Sequence, residues 1–204
     1  PLSVIENSTV PTLNLIKRYS GKVKRFIYAA TCEIYADATE QGLADIPTAE
    51  DAPVLFKNSE NLRWSYAASK YLGELAIIAS KKENDQDYII LRYHNIYRED
   101  QVDHFIPEFA ERALQGDLSL HGWKNTRSFC YIDDAIRASN SLMFCEEAKN
   151  KTIHLGNDEE TSIKDVAKKI LRIMKIEGKF LLKEAPEGSV SRRCPDISLM
   201  KSLI

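Results

Sequence analysis

The order of apolar and polar positions along the chain predicts a helix followed by a strand–helix–strand unit. Apolar residues recur at helical spacing from Ser3 to Tyr19, and Leu62 to Lys82 is a second helical stretch rich in Ala, Leu, Lys and Glu. Continuous apolar and aromatic runs at 23–30 and 88–93 have the length of strands that are buried on both faces. Strand, helix and strand in this order favour the α/β class, with a parallel sheet covered by helices.

Two features interrupt this pattern. Pro11 lies inside the first helical segment, where its ring predicts either a bend or a later helix start. Residues 36–60 are polar and contain Pro47 and Pro53, which predicts a long loop between the first strand and the second helix.

Beyond residue 98 the predicted elements become shorter. Helices are predicted over 107–114, 133–144 and 162–174, and strands over 128–132, 151–155 and 179–182. We therefore expect a sheet domain at 1–98 and a smaller α+β domain at 99–204, with some elements crossing between the two.

Composition and charge argue against several classes of binding partner and site. The formal net charge of −2 favours neither nucleic acid nor an anionic membrane as a partner. No apolar run approaches the roughly 20 residues of a membrane-spanning helix, and the first residues lack the pattern of a signal peptide. The four cysteines and four histidines have neither disulfide-framework nor metal-ligand spacing. Reduced thiols, a cytoplasmic location and no metal site are expected.

Tyr66 and Lys70 are the first candidates for chemistry, because they lie one helical turn apart on the same face. A nearby ammonium favours the phenolate and lowers the tyrosine pKa, which suits proton removal from an alcohol during a redox reaction. The spacing alone is weak evidence, because the chain has nine tyrosines and many lysines. A packing tyrosine and a solvated lysine on a surface helix is the alternative.

Polar side chains follow both predicted strands where each strand ends. Thr31 and Glu33 follow the first strand, and Asn95 follows the second. The carboxyl ends of parallel strands are where ligands bind in open α/β sheets. This placement favours a functional site that includes Tyr66 and Lys70.

Six segments, in this order along the chain, resemble motifs of the extended short-chain dehydrogenase/reductases, the NAD-dependent nucleotide-sugar epimerases and dehydratases. They are Thr31–Ala36, Tyr66–Lys70, Arg92–Tyr97, Thr126–Asp134, Ile153–Asn157 and Arg192–Asp196. The resemblance implies a Rossmann-like parallel sheet, a small C-terminal α+β domain that binds the substrate, and NAD as cofactor. It also implies a homodimer that pairs through the helices at 3–19 and 62–82, usually in polysaccharide precursor synthesis.

The resemblance assigns roles to the residues that match the motifs. Thr31 would hydrogen-bond the sugar hydroxyl that is oxidised, Tyr66 would be the base, and Lys70 would tune Tyr66 and hold the cofactor ribose. Cofactor contacts are also implied at three further positions: Asn7, Ala29 and Tyr93.

Four more residues match positions that contact the substrate. Asn95, Arg127 and Arg193 would bind the nucleotide diphosphate, since guanidinium groups suit phosphate. Glu33 matches an additional acid or base of dehydratases and uronic-acid decarboxylases. The alternatives are that Asn95 caps a loop, that Arg127 pairs with Asp133 or Asp134, and that Glu33 is solvated.

The chain also departs from the family pattern. No G-x-x-G-x-x-G turn, which receives the NAD pyrophosphate, occurs in the 204 residues. We therefore expect the first β–α–β units to be missing and the chain alone to be inactive and to retain no NAD. Cys32 stands where dehydratases usually have Asp and several decarboxylases and epimerases have Ser.

Three functions are consistent with these features. UDP-glucose 4-epimerase-like activity is preferred, because it needs only Thr31, Tyr66 and Lys70. UDP-glucuronate decarboxylation or 4,6-dehydration is the alternative, because Glu33 is present. A non-catalytic family member that binds a nucleotide sugar or a partner chain is the second alternative, because the cofactor turn is absent.

Overall fold

The computed structural model describes residues 1–58, 60–102, 104–186 and 188–204. The helices are α1 (Leu2–Tyr19), α2 (Ala36–Glu40), α3 (Trp64–Asn84), α4 (Phe105–Leu114), α5 (Ile132–Phe144), α6 (Ile163–Met174) and α7 (Ser198–Leu203). The strands are β1 (Phe26–Thr31), β2 (Tyr88–Tyr93), β3 (Ile96–Tyr97), β4 (Ser119–His121), β5 (Thr126–Arg127), β6 (Cys130–Tyr131), β7 (Lys151–Leu155), β8 (Thr161–Ser162), β9 (Leu181–Lys183) and β10 (Arg192–Arg193). A 3₁₀ turn over Cys32–Tyr35 follows β1 directly.

The central sheet has the order β1-β2-β7, and both strand pairs are parallel. Alternate residues point to opposite faces, and both faces are covered. Tyr28 and Ile90 pack on the α1/α3 side, whereas Ile89 and Ile153 pack with α5 and α7 on the other. The predicted α/β class with a parallel sheet is therefore confirmed, and β7, α5 and α7 from the second half of the chain complete the sheet layer.

Close packing of α3 on β1 depends on Gly73. A Cβ at this position would overlap the phenol of Tyr28. That phenol donates a hydrogen bond to the backbone oxygen of Lys70 at 3.2 Å. The missing side chain thus lets the helix that carries Tyr66 and Lys70 lie directly against the sheet.

A second core lies under β4, α4 and α6. Phe109, Leu120 and Leu171 are buried there. Next to this core, β5 pairs with β8 and, in parallel, with β10, and Arg127 is opposite Arg193 in the latter pair. The small sheet therefore places two arginines side by side.

Two sequence expectations in the first half of the chain differ from the structure. α1 begins at Leu2 and runs through Pro11, so the proline does not delay the helix. Residues 36–40 of the predicted loop form α2, because Ala36 and Ala38 are buried and the Thr39 hydroxyl bonds backbone oxygens within the turn. Ser59 of that loop lies outside the described residues.

The predicted strand at 128–132 is also shorter than expected. Only Cys130 and Tyr131 form β6, and Ile132 begins α5. Asp133 and Asp134 occupy the first turn of that helix, where carboxylates stabilise the helix N-terminus. Within the described ranges, none of these helices combines the length and apolar character required to cross a membrane.

Candidate active site

The carboxyl ends of β1 and β2 lie at one edge of the sheet, where Thr31 is opposite Tyr93 in register. A cavity of about 290 Å³, the strand-end cavity, opens there. Its lining includes six residues predicted from sequence: Thr31, Glu33, Tyr66, Tyr93, Asn95 and Arg193. Residues that are distant in sequence are thus brought together around one space.

Tyr66 and Thr31 both line this cavity. The Tyr66 side chain, from the first turn of α3, lies close enough to the Thr31 hydroxyl for that hydroxyl to lower the Tyr66 pKa. The Thr31 hydroxyl also accepts a bond from the backbone N–H of Glu33 at 3.2 Å, which holds its oxygen in place. A hydroxyl bound to both groups could exchange its proton with the phenol.

The pKa of Tyr66 is shifted upward, opposite to the expected direction. Burial raises it, and the nearby Thr31 hydroxyl opposes this only in part. The Lys70 ammonium lies 4.6 Å from the centroid of the Tyr28 ring. That Lys70 tunes Tyr66 stays a prediction.

Glu33 is held by arginines. Its Oε1 accepts a hydrogen bond from Arg193 Nη1 at 2.7 Å, and its Oε2 lies 4.0 Å from Arg63 Nη2. Burial by itself would raise the pKa of Glu33, but Arg193, Arg63 and Arg127 outweigh it and keep the pKa below its usual value. The alternative of a solvated Glu33 is wrong.

Arg127 lines a neighbouring cavity of about 270 Å³, the arginine cavity. Its guanidinium donates to the backbone oxygens of Thr126 and Val190, both at 2.7 Å, so the alternative pairing with Asp133 or Asp134 is wrong. Burial and the charge of Arg193 lower the pKa of Arg127 to about 10. An anion bound between the two arginines would relieve this repulsion.

Asn95 lies between the two cavities and lines both of them. Its backbone has φ of +39°, a conformation that Asn tolerates better than most residues. The side-chain amide donates to the backbone oxygen of Ser128 at 2.9 Å. Asn95 therefore caps a loop, as the alternative predicted, and also faces the site.

The structure separates the predicted cofactor residues. Tyr93 lines the strand-end cavity, and Ala29 is exposed on β1, the edge strand of the described sheet. Asn7 is exposed on α1 and is not among the residues that line either cavity. The structure thus does not bring Asn7 to the site.

Three site residues escaped the sequence predictions. Arg63 approaches Glu33 from the start of α3, and Gln101 and His104 line both cavities. Arg63 is three residues before Tyr66, but one charged residue beside a helix has no distinguishing pattern. Its role becomes visible only when Glu33 and the arginines meet.

Beneath the site, His154 is fully buried, and its pKa is lowered to about 4 by burial and by the charge of Arg92. In the unfolded chain a histidine titrates at about 6.5, so the unfolded state binds the proton first. The free energy of unfolding is therefore expected to fall by about 2 kcal/mol between pH 7.5 and pH 5 from this residue.

Urea unfolding at a series of pH values would measure this dependence. His154→Gln should remove about 2 kcal/mol of the pH dependence, whereas His121→Gln, at an exposed position, should leave it intact. An unchanged slope in His154→Gln would show that His154 is not responsible. Buried His94, whose pKa is also strongly lowered by burial, would account for what remains.

Comparison with known proteins shows which family this chain is similar to. The family model described as "NAD dependent epimerase/dehydratase family" matches residues 1–156. A UDP-N-acetyl-alpha-D-glucosaminuronate decarboxylase of Bacillus cytotoxicus is 30% identical over 99% of this chain and 64% of its own length. A dTDP-D-glucose 4,6-dehydratase of Dictyostelium discoideum is 33% identical over 82% of this chain and 39% of its own.

Solved structures show the same fold. A UDP-N-acetylglucosamine 4-epimerase of Methanobrevibacter ruminantium superposes with a TM-score of 0.86 at 20% identity, over 100% of this chain and 64% of its own. A UDP-glucose 4-epimerase of Thermotoga maritima has a TM-score of 0.83 at 21% identity, over 97% and 63%.

The chain thus spans less than two thirds of the length of these relatives. The match over 1–156 and the shared fold confirm both the Rossmann-like architecture and the family resemblance. The chain belongs to the NAD-dependent epimerase/dehydratase family.

Proposed function

We propose that this protein, together with NAD, oxidises the C4 hydroxyl of a nucleotide-linked uronic acid and that the sugar then loses its carboxyl group as CO₂. One observation carries the proposal: the strand-end cavity contains the Thr31–Tyr66 pair and also the Glu33–Arg193 ion pair. The first pair is sufficient for oxidation. The second supplies charges that simple epimerisation does not require.

The residues present fit the nicotinamide end of NAD. Ala29 is exposed beside the strand-end cavity, and Tyr93 and Tyr66 line it, so Ala29 and Tyr93 would contact the nicotinamide and Lys70 its ribose. When bound, NAD accepts the hydrogen from C4 and returns it when the ketone is reduced. The glycine-rich turn for the pyrophosphate is not part of these 204 residues.

Tyr66 and Thr31 act on the C4 hydroxyl. Thr31 is buried and held by the N–H of Glu33, so its oxygen offers a fixed hydrogen-bond partner to the sugar. Tyr66 removes the hydroxyl proton as C4 becomes a ketone, and it returns the proton when the ketone is reduced.

A ketone at C4 turns the C6 carboxylate of a uronic acid into a β-keto acid. The C5–C6 bond breaks, CO₂ leaves, and the electron pair moves into the C4 carbonyl to form an enolate. Arg193 and Arg63 carry two positive charges beside the single carboxylate of Glu33. They suit the carboxylate of the substrate, and the nearby guanidinium of Arg193 stabilises negative charge on the enolate until C5 takes up a proton.

The nucleotide diphosphate binds in the arginine cavity. Arg127 and Arg193 are in register on adjacent strands, and Asn95 lies where this cavity meets the strand-end cavity. Phosphate bound by the arginines would place the attached sugar toward Thr31 and Tyr66. This order of subsites supports a nucleotide sugar over a free sugar.

Simple 4-epimerisation is the second candidate. The Thr31–Tyr66 contact supports it without any part for Glu33. In this case Arg193 would bind only phosphate, and Glu33 would only orient Arg193. A non-catalytic binding role is less well supported, because the residues of the redox pair are in contact.

Product analysis separates these candidates. The protein, expressed from its complete gene, is incubated with NAD and UDP-, GDP- and dTDP-linked hexoses and hexuronates, and products are identified by mass spectrometry. From a nucleotide-linked hexuronate we expect CO₂ and a nucleotide-linked pentose. A C4 epimer from a neutral hexose, with no decarboxylation of any hexuronate, would favour the second candidate.

Glu33→Gln tests the role of the Glu33–Arg193 ion pair. The loss of the carboxylate is expected to lower decarboxylation by about 10²-fold, in the range for a positioned acid or base, while C4 oxidation continues. Glu111→Gln, an exposed change on α4, is the matched control. Unchanged decarboxylation in Glu33→Gln would leave Glu33 without a catalytic role.

A homodimer is also proposed. α1 and α3 pack against each other on the same side of the sheet and expose apolar side chains, among them Val10, Leu15, Leu72, Leu75 and Ile78. An exposed apolar surface of two helices is typical of an interface.

The free cysteines support a reducing compartment such as the cytoplasm.

A further inference from the structure

A buried polar network joins the segments that carry Tyr66, Thr31, Tyr93 and Arg193. Glu74 is on α3 with Tyr66 and Lys70, and Arg92 is on β2 next to Tyr93. Tyr35 follows Thr31 and Glu33 in the 3₁₀ turn. His154, on β7, connects these groups to the segment after Arg193.

The network begins at a buried ion pair. Arg92 donates from Nε and Nη2 to the two carboxylate oxygens of Glu74, at 3.0 and 2.6 Å. Their side chains are 8% and 1% exposed, so this pair is shielded from water. Two parallel bonds fix the guanidinium plane and join α3 rigidly to β2.

From Arg92 the hydrogen bonds continue to Tyr35 and His154. The backbone oxygen of Asp196 can only accept, so His154 Nδ1, at 3.2 Å, carries the proton and Nε2 is an acceptor. The Tyr35 hydroxyl has one proton and two acceptors at 3.0 Å, His154 Nε2 and the backbone oxygen of Glu50. Arg92 Nη1 in turn donates to the Tyr35 oxygen and to the backbone oxygen of Glu50.

At its far end the network reaches the arginine strand. The N–H of Asp196 bonds the backbone oxygen of Thr48, and the N–H of Thr48 bonds that of Cys194, both at 2.8 Å. These bonds hold the chain immediately after Arg193, at Cys194 and Asp196. The backbone next to Arg193 is therefore linked to Tyr35 through Asp196 and His154.

We propose that Tyr35 is a positioning residue, whose hydroxyl helps to hold the oxidising pair, Thr31 and Tyr66, in place relative to the substrate-binding Arg193. The Tyr35 oxygen contacts both Arg92 and His154, beside a second link that Glu50 makes between the same two residues. This inference rests on the proposed C4 oxidation for its effect on rate. The link from Tyr35 through His154 to Asp196 does not depend on that activity, so it can be tested without a substrate.

Tyr35→Phe removes this oxygen and retains the ring. In the protein expressed from its complete gene, we expect kcat to fall about tenfold, because small misplacements of substrate reduce rate strongly, while KM changes less than threefold. Amide exchange should become faster at 194–198 and 46–50 and stay unchanged in α6. Tyr88→Phe, at the far end of β2, is the matched control.

Each outcome decides one of the two proposals. If the wild type is active and Tyr35→Phe, shown to be folded by circular dichroism, keeps its kcat, the positioning role is wrong. Exchange that becomes faster throughout the molecule, with kcat unchanged, would assign Tyr35 to general stability only. If the wild type acts on no nucleotide sugar, the proposed function fails. Amide exchange still tests the second proposal in that case. If exchange at 194–198 is unchanged in Tyr35→Phe, Tyr35 does not restrain Asp196.

Discussion

Tyr66→Phe is expected to lower kcat for C4 oxidation by about 10²–10⁴-fold, the range for loss of a general base. The substitution keeps the ring and removes only the hydroxyl group, which lies next to Thr31. Nucleotide-sugar binding should be preserved, because Asn95, Arg127 and Arg193 are unchanged and lie on other segments. Single-turnover formation of NADH measures the oxidation, and calorimetry with UDP measures binding.

Tyr19→Phe, at the exposed end of α1, is the control for this experiment. It should have wild-type kinetics. Loss of both oxidation and UDP binding in Tyr66→Phe would show that Tyr66 is structural, and the assignment of the base would be wrong. Loss of oxidation alone would support the assignment.

Arg92→Met is expected to destabilise the fold by about 3–5 kcal/mol, because it leaves the carboxylate of Glu74 buried without its partner. Arg92 also holds Tyr35 and the backbone oxygen of Glu50, so further polar groups lose their donor. The double variant Glu74→Leu with Arg92→Met removes both charges and should regain much of this loss. Urea unfolding of the wild type, the single variants Arg92→Met and Glu74→Leu, and the double variant gives the coupling between the two sites.

A surface pair provides the matched control. Arg137 and Asp134 form an ion pair on α5 with side chains 73% and 58% exposed. Arg137→Met should cost less than about 1 kcal/mol, since exposed pairs are screened by water and salt. If Arg92→Met were as mild as this, the ion pair would contribute no more to stability than a surface contact.

Local sequence patterns were sufficient for the main elements. The helices near 3–19 and 62–82 and the strands near 23–30 and 88–93 have strong periodicity or continuous apolar runs, and all are present. Their boundaries shifted by one to three residues, as at Phe26 and Trp64. The helix at 36–40 was missed, because five residues are too few for a helical period and its stability comes from burial of Ala36 and Ala38.

The candidate site was predictable in part. Thr31, Tyr66 and Asn95 were identified because each follows a strand or begins a helix at a spacing that the family shares, and the structure brings them to one cavity. Asn7 was assigned on the same resemblance, yet it is exposed on α1. A motif position alone therefore does not show what a side chain contacts in this chain.

By itself, then, the sequence determined the parallel strand–helix–strand unit, the family and the residues that end its strands, because all of these follow from spacing between near neighbours. Only the tertiary structure decided how their charges interact. Glu33 and Arg193 are separated by 160 positions, and their contact at 2.7 Å depends on how the small sheet docks on the large one. Burial of Tyr66 likewise raises its pKa although Lys70 is one turn away, because hydration depends on atoms from every segment around the cavity.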